Sequence, residues 1–268
     1  MATKNNITGD EIKSKALSAQ GRENWDKIFG KKNTDNPISN KQMNKKVYLI
    51  GDTHGEWHIL NQLINKYDIR DIHLIHVGDI GVGFKHPEKE KEIFEFQNTF
   101  FADRNIHFIG IRGNHDDPSY FGGELKLSNF ELVPDYTYRE INGETFLFVG
   151  GAVSIDRTLR VPYVSWWEDE LLVLKLDLVK KADVLVTHSA PHWIGPFDKA
   201  GIDWYCQKDA PLWGECVQER KDIAELIKLA KPSRSYHGHF HITAQVDFDG
   251  CLARILNMHE MIEHFPRK

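Results

Sequence analysis

The chain has 268 residues, of which 34 are basic and 39 acidic, for a net charge of −5. This length is sufficient to bury a sizeable core, and we expect one catalytic domain. The near balance of charge gives no broad attraction for nucleic acid or an anionic membrane. No apolar run approaches the roughly 18 residues that span a bilayer, and the polar start lacks the apolar centre of a signal peptide. The sequence therefore predicts a soluble, cytoplasmic protein.

Residues 1–44 form a polar stretch dominated by Lys, Asn, Asp, Ser and Thr. Its apolar cluster is limited to Trp25, Ile28 and Phe29. This composition predicts a flexible N-terminal tail with one short helix near residues 23–29. The alternative is a docking peptide for a protein partner. Residues 45–268 are then the catalytic domain.

Strands and helices alternate through the first half of this domain. Residues 46–50 are a short apolar run rich in β-branched and aromatic side chains, which predicts a buried strand. Leu60, Leu63, Ile64 and Tyr67 then recur with the spacing of one helical face. The pattern repeats with a strand at 72–77, a helix that begins near Pro87 and turns Ile93, Phe96 and Phe100 inward, and a strand at 106–111.

A further strand at 145–149 precedes a predicted helix at 165–181. Ser165 and Glu168 have the spacing of a capping box, and acidic residues at the start with lysines at the end suit the helix dipole. The buried face of this helix is predicted at Leu171, Leu174 and Leu178. A strand at 183–187 follows.

Residues 192–217 interrupt the alternation, since they show no helical or strand period. They predict an inserted loop region that carries Trp193, Trp204, Tyr205 and Trp213. Long irregular loops in compact domains are often functional, and we expect this one to be a lid that faces the substrate. The alternative is that its aromatic residues fill a small core of their own. A helix near 223–230 and a β-hairpin within 243–258 complete the domain.

Polar side chains recur at the ends of these predicted strands. They offer seven oxygen or nitrogen donors, namely Asp52, His54, Asp79, Asn114, His188, His239 and His241. In α/β sheets such strand ends gather in one crevice. Seven donors exceed the three or so that hold one catalytic metal, so they favour two metals bridged by a carboxylate. With one bound hydroxide the site would carry roughly +1, which suits an anionic phosphate ester better than a neutral amide or sugar.

Five motifs in this order carry a family resemblance. Gly-Asp-x-His-Gly, Gly-Asp, Gly-Asn-His-Asp, a lone His after an apolar strand, and Gly-His-x-His together resemble the calcineurin-like metallophosphoesterase family over about residues 46–258. The resemblance implies a four-layer α/β/β/α sandwich with two facing mixed sheets and a di-metal site at the strand ends. It also implies that a water or hydroxide shared by the metals attacks phosphorus.

The same resemblance implies roles for individual residues. Asp52, His54 and His241 hold one metal, Asn114, His188 and His239 hold the other, and Asp79 bridges them. His115 matches the family's non-ligand histidine, which protonates or stabilises the leaving oxygen, and Asp116 or Asp117 is expected to orient it. Donors of this type suit manganese, iron and zinc, and we expect manganese or an iron-containing pair.

One departure from the family pattern concerns the second motif. The protein serine/threonine phosphatases continue Gly-Asp with x-Val-Asp-Arg-Gly, whereas this chain continues with Ile80-Gly81-Val82-Gly83. The aspartate that orients the catalytic histidine and the arginine that clamps phosphate are thus missing. Arg112 survives in an Arg-Gly-Asn-His context like theirs, and candidate replacements for the clamp are Arg157 and Arg160. All three are candidate phosphate contacts.

The sequence thus predicts a phosphomonoesterase or phosphodiesterase whose phosphorylated substrate is unknown. A protein phosphatase or a dinucleoside polyphosphate hydrolase is the enzymatic alternative, suggested by Gly55-Glu56-Trp57 and by Arg112. A non-catalytic binding scaffold of the same fold is the alternative of another class. The complete set of predicted ligands argues against the scaffold.

Overall fold

The computed structural model describes residues 45–196, 199 and 201–266. Of the preceding chain it describes only the backbone of two short strands, β1 (Thr3–Lys4) and β2 (Glu11–Ile12), which pair antiparallel. The predicted tail and its short helix near residues 23–29 otherwise lie outside the described residues. The account of the fold therefore begins at Lys45.

The first large sheet has five strands in the order β13-β3-β4-β5-β6. Its strands are β3 (Lys46–Ile50), β4 (Ile72–His76), β5 (His107–Gly110), β6 (Phe130–Leu132) and β13 (Met261–Glu263). The first four are parallel, and β13 is antiparallel to β3. Helices α1 (Trp57–Lys66) and α2 (Pro87–Ala102) supply the crossovers and cover the outer face of this sheet.

The second large sheet has six strands in the order β11-β12-β10-β9-β8-β7. Its strands are β7 (Thr137–Ile141), β8 (Glu144–Val149), β9 (Val184–Thr187), β10 (Arg234–His237), β11 (Ala244–Phe248) and β12 (Cys251–Ile255). The central strands are parallel, and both edge strands are antiparallel to their neighbours. Helix α4 (Leu212–Ala230) packs on the outer face, and the short helix α3 (Ile202–Cys206) precedes it.

A core of alternate strand residues joins the two sheets. Val47 and Leu49 of β3 meet Phe146 and Phe148 of β8 there, while Leu147 between them points to α4 instead. This period of two follows from the pleat of each strand, and it buries both faces of both sheets. The order helix, sheet, sheet, helix confirms the predicted four-layer sandwich.

The helix predicted at 165–181 is wrong. Within this segment the structure has only a single 3₁₀ turn, Leu176–Leu178, and Leu176 and Leu178 are more than two-fifths exposed. The carbonyl groups that a helix would use internally are taken by Arg112, which donates hydrogen bonds to the carbonyl oxygens of Glu170 and Leu171. Ser165 does not begin a helix either, since its Oγ accepts the N–H of Val161.

The inward face predicted for α2 is also displaced. Phe96 is 60% exposed, whereas Phe94 and Phe101 are fully buried. The rotation of the helix is fixed at its first turn, where the buried Glu90 carboxylate accepts the N–H groups of Gly83 and Lys85. On α1, likewise, Leu60 and Ile64 are buried as predicted but Tyr67 lies past the helix end and is exposed.

The segment predicted as an irregular loop, 192–217, is shorter than expected. Helix α3 lies within it, and α4 begins at Leu212 rather than near residue 223. Trp193 stacks on Phe248 with ring centroids 4.8 Å apart, so it belongs to a packed cluster. Trp204 and Trp213 are instead each 46% exposed.

Candidate metal centre

The seven predicted ligands lie where strands of both sheets end. Asp52, His54, Asp79 and Asn114 follow β3, β4 and β5, whereas His188, His239 and His241 follow β9 and β10. Strands β3, β4 and β5 run parallel to one another, as do β9 and β10, so their carboxyl ends lie together at one edge of each sheet. Side chains that are far apart in sequence therefore converge between the two sheets.

One group of donors comprises Asp52, His54, Asp79 and His241, whose ligand atoms all lie within 4.8 Å of one another. The Nε2 atoms of His54 and His241 face each other at 3.0 Å. The Nε2 of His241 is also 3.2 Å from Asp52 Oδ2. Two ring nitrogens and two carboxylates directed at one point form a donor set that could hold a divalent ion.

A second group comprises Asp79, His188 and His239, all three buried and again within 4.8 Å of one another. The Nε2 of His188 lies 3.1 Å from Asp79 Oδ1. The amide oxygen Oδ1 of Asn114 lies 3.3 Å from the same Nε2 and adds a fourth donor. This group could hold a second ion.

Asp79 belongs to both groups. Its Oδ1 faces His188, whereas its Oδ2 lies 3.8 Å from the Nε2 of His54. Burial works to raise the pKa of Asp79, but His188 and His115 hold it well below its usual range. Burial conversely works to lower the pKa of His188, but Asp79 and Asp52 raise it to about 9. The buried carboxylates thus attract positive charge, which is what a cation site requires.

Neighbouring groups fix the orientation of these donors. The Nδ1 of His188 donates a hydrogen bond to the carbonyl oxygen of Val77 (2.8 Å), so Nε2 is the nitrogen that faces the site and that would give up its proton to bind an ion. The amide nitrogen of Asn114 donates to Ser154 Oγ (3.0 Å), and that hydroxyl donates to Glu170 Oε2 (2.7 Å). Such outer contacts are what metal-ligating imidazoles and amides need in order to present the correct atom.

The backbone of the site is unusual at the ligands themselves. His54, Asp79, His239 and His241 all have positive φ angles, between 46° and 68°. Non-glycine residues rarely adopt this conformation, and such strain tends to occur at functional sites. Glycine at position 113 leaves room for Asp79 in this conformation, because a Cβ on Gly113 would lie 2.1 Å from Asp79 Oδ1. The motif glycines thus permit the close approach of the loops.

His115 lies at the rim of the first group. Its ring meets that of His54 edge to face with centroids 4.7 Å apart, and its backbone N–H donates to Asp79 Oδ1 (2.7 Å). Burial lowers the pKa of His115 to about 4, although Asp79 opposes this. The Nε2 of His115 accepts a hydrogen bond from Arg160 Nη2 at 2.6 Å.

Asp116 does not have the orienting role expected from the sequence. Its carboxylate accepts the backbone N–H groups of Ile80, Gly81, Val82 and Gly113. These bonds consume both oxygens and tie the second motif to the third. Asp117 also bonds locally, since its Oδ1 accepts the N–H of Ser119.

Two of the three candidate phosphate clamps are used elsewhere. Arg112 is buried and pairs with Asp135 (2.7 Å) in addition to its carbonyl contacts. Arg157 pairs with Asp209 (2.5 Å) and Glu215 (2.5 Å), and so joins the loop after β8 to the start of α4 and the segment before it. Both guanidinium groups therefore have structural partners.

The third candidate, Arg160, lies beside His115 at the rim of the metal centre. Besides its contact with His115, its Nη2 is 2.6 Å from Asp156 Oδ1, and its side chain is only 10% exposed. The structure adds a residue that the sequence did not predict, Lys199, whose Nζ lies 3.2 Å from His239 Nδ1. Because Lys199 belongs to no motif, only the path of its loop reveals its position.

The fold and the donor set together define a metal-dependent hydrolase. Residues 45–243 match the family model of the calcineurin-like phosphoesterases. This match spans most of the chain, and the chain belongs to that family. It is accordingly a phosphoester-hydrolysing enzyme of a metal-dependent family. Within the described ranges, no helix combines the length and the apolarity needed to cross a membrane.

Similar solved structures are distant. One is a predicted phosphoesterase from Streptococcus pneumoniae TIGR4, with 11% identity, a TM-score of 0.34, and coverage of 80% of this chain and 72% of that one. Another is the phosphopantetheinyl hydrolase of Mycobacterium tuberculosis, with 13% identity, a TM-score of 0.41, and coverage of 83% and 97%. No curated protein sequence matches the chain significantly. These similarities are too remote to carry a substrate over to this protein.

Proposed function

We propose that this enzyme hydrolyses phosphomonoesters or phosphodiesters at a centre of two divalent ions. The observation that carries the proposal is the sharing of Asp79 by two donor groups, each of its oxygens facing a different one. One carboxylate between two ligand sets is the arrangement that a metal pair requires.

The residues offer each of the two ions four donors of similar chemistry. Asp52, His54 and His241 would hold one ion, Asn114, His188 and His239 the other, and Asp79 both. When bound, such ions activate water and neutralise the charge of the phosphoryl oxygens. Oxygen and imidazole donors without a thiolate suit manganese, iron or zinc, and we expect manganese.

The chain itself supplies positive charge beside this centre. Arg160 cannot lose its proton, so it is a permanent donor next to the phosphate position. Asp156 anchors one end of the guanidinium, and the contact with His115 directs it toward the centre. We expect Arg160 to bind a phosphoryl oxygen and His115 to face the leaving oxygen.

The alternatives gain no support from specific contacts. The positions where protein phosphatases carry their Asp-Arg pair are Val82 and Gly83 here, whose backbone N–H groups donate to Asp116 and Glu90. A non-catalytic scaffold would have lost ligands, whereas all seven predicted donors converge. The cytoplasmic location and a protein partner for the N-terminal tail stay predictions from the sequence.

A panel of esters and metals tests the proposal. Purified protein stripped of metal would be supplied with Mn, Zn, Fe, Ni or Mg and assayed on aryl phosphate monoesters and diesters. We expect hydrolysis that depends on the added metal and is lost with chelator. Absence of hydrolysis with every metal and both ester classes would contradict the proposal.

A further inference from the structure

A lysine from the segment between β9 and α4 reaches the metal centre. Lys199 places its Nζ 3.2 Å from Nδ1 of the candidate ligand His239, and 5.7 Å from the ring centroid of Phe240. Burial lowers the pKa of Lys199, whereas Asp79 and Asp52 raise it, so the ammonium lies within the field of both candidate ligand carboxylates. It approaches from the side of the second donor group.

The charge of Lys199 has no close counterion in the part of the chain that the structure describes. Arg112, Arg157 and Arg160 each have a carboxylate oxygen within 2.7 Å. No described carboxylate oxygen lies within 4.0 Å of the Lys199 Nζ. Lys199 is partly buried, and a cation that has lost part of its hydration is costly unless an anion comes to it, so this ammonium is suited to an anionic ligand.

Glu219, the acidic residue that lines the cavity beside Lys199, is engaged with other groups. It lines the same small cavity as Lys199, but its Oε2 accepts the N–H of Val153 at 2.6 Å, and Ser189 also bonds its carboxyl. Burial raises the pKa of Glu219 to about 7, which weakens its negative charge further. Glu219 therefore attracts the ammonium of Lys199 through space but forms no ion pair with it, since its carboxyl is held by Val153 and Ser189.

The cavity beside Lys199 has room for only a few atoms. Its volume is about 40 Å³, and Trp213, Arg220, His239 and Phe240 are among its lining residues. Arg220 donates to the carbonyl oxygens of Pro191 (3.0 Å) and Pro196 (2.6 Å) and so forms part of the wall. This space is too small for the organic group of an ester, and most of its lining surface is apolar, so a phosphoryl oxygen would meet the Lys199 ammonium at the edge of the cavity that faces His239.

We propose that Lys199 binds a phosphoryl oxygen of the substrate and makes the site prefer dianionic phosphomonoesters over diesters. The inference rests on the proposed function and narrows its substrate class. Arg160 supplies one fixed cation on the His115 side, and Lys199 supplies a second on the His239 side. A monoester carries nearly two negative charges near neutral pH, since its second pKa is about 6, whereas a diester carries one.

The test compares Lys199→Met, which keeps the length of the side chain and removes its charge, with the wild-type enzyme. We expect kcat/KM for an aryl phosphate monoester to fall by about 10- to 100-fold, the range for a charge-assisted hydrogen bond, and kcat/KM for the bis-aryl diester to fall much less. Inorganic phosphate, titrated calorimetrically into the protein, should bind about tenfold more weakly to the variant.

Two further variants serve as controls. Lys208→Met removes an exposed ammonium of the same segment that lies over the Trp204 ring, and it should leave all three measurements unchanged. Lys199→Arg keeps the charge and should keep the monoester preference. A folding defect caused by substitution at this position would impair both Lys199→Met and Lys199→Arg, whereas loss of the charge impairs only Lys199→Met.

The outcomes separate this inference from the proposed function. Equal losses on both ester classes, or unchanged phosphate affinity in Lys199→Met, would overturn the role of Lys199 while hydrolysis by the wild type would still support the function. If the wild type hydrolyses neither ester, the proposed function fails, and phosphate binding alone then decides whether Lys199 is an anion ligand.

Discussion

The side chain of His115 shows how one residue can be positioned by its neighbours for two different tasks. The family resemblance implies that it serves the leaving oxygen, whereas in this structure its Nε2 accepts a hydrogen bond from Arg160. His115 can serve in both ways if a bound phosphate accepts the hydrogen bond of Arg160 and so frees His115 Nε2 for the leaving oxygen. His115 is then a group at the rim of the site rather than a metal ligand.

Replacement of His115 by Asn tests this role. We expect turnover to fall by about 10² to 10⁴ for an ester with a poor leaving group, and less for an activated aryl ester that needs no proton. Metal content should stay unchanged. Equal losses on the two esters, or loss of an ion, would remove His115 from leaving-group chemistry.

The loops between elements are held by contacts that a local pattern does not contain. The segment 165–181 has every local sign of a helix, but Arg112 binds its carbonyl groups from the end of another strand. The two faces of α2 are similarly apolar, and the bonds of Glu90 decide between them. These errors could not be avoided from the sequence, because tertiary contacts override propensity.

Gly113→Ala tests the packing of the third motif against Asp79. The new Cβ would lie 2.1 Å from Asp79 Oδ1 and 2.3 Å from its backbone nitrogen, so the carboxylate must shift. We expect lower metal content and loss of most activity. Gly214→Ala is the matched control, since that exposed helical glycine has open space around it and alanine favours helix. Full metal content in Gly113→Ala would show that the close approach is unimportant.

The segment before α4 offers a test of the lid hypothesis. Trp213 is half-exposed beside Lys199, whereas Trp193 packs on Phe248. Trp213→Ala should change the preference between small and bulky esters with little change in melting temperature. Trp193→Ala should instead lower the free energy of unfolding, by up to the roughly 3–5 kcal/mol that the loss of a buried tryptophan costs, and leave the preference between small and bulky esters unchanged. The reverse result would mean that Trp213 is a packing residue and that the lid hypothesis is wrong.

At the scale of the whole molecule, the two facing sheets bring the candidate ligands that follow β3, β4 and β5 close to those that follow β9 and β10. Strands β3, β4, β5 and β9 could be predicted because they are apolar runs followed by Asp, His and Gly, and the convergence of their ends follows from parallel pairing. Strand β10, Arg234–His237, is not an apolar run and was not predicted. The short edge strands β6, β7 and β13 have no such pattern. Lys199 was likewise unpredictable, since its position depends on the path of an irregular segment.

The central claim is that two divalent ions share Asp79, and metal content tests it most directly. Elemental analysis after manganese loading should find two ions per chain in the wild type. Asp79→Asn keeps the shape of the side chain but removes the charge that holds two cations together, so it should bind fewer ions and lose hydrolysis. Asp103→Asn, an exposed change just after α2, should match the wild type. Two bound ions and near wild-type turnover in Asp79→Asn would contradict the account.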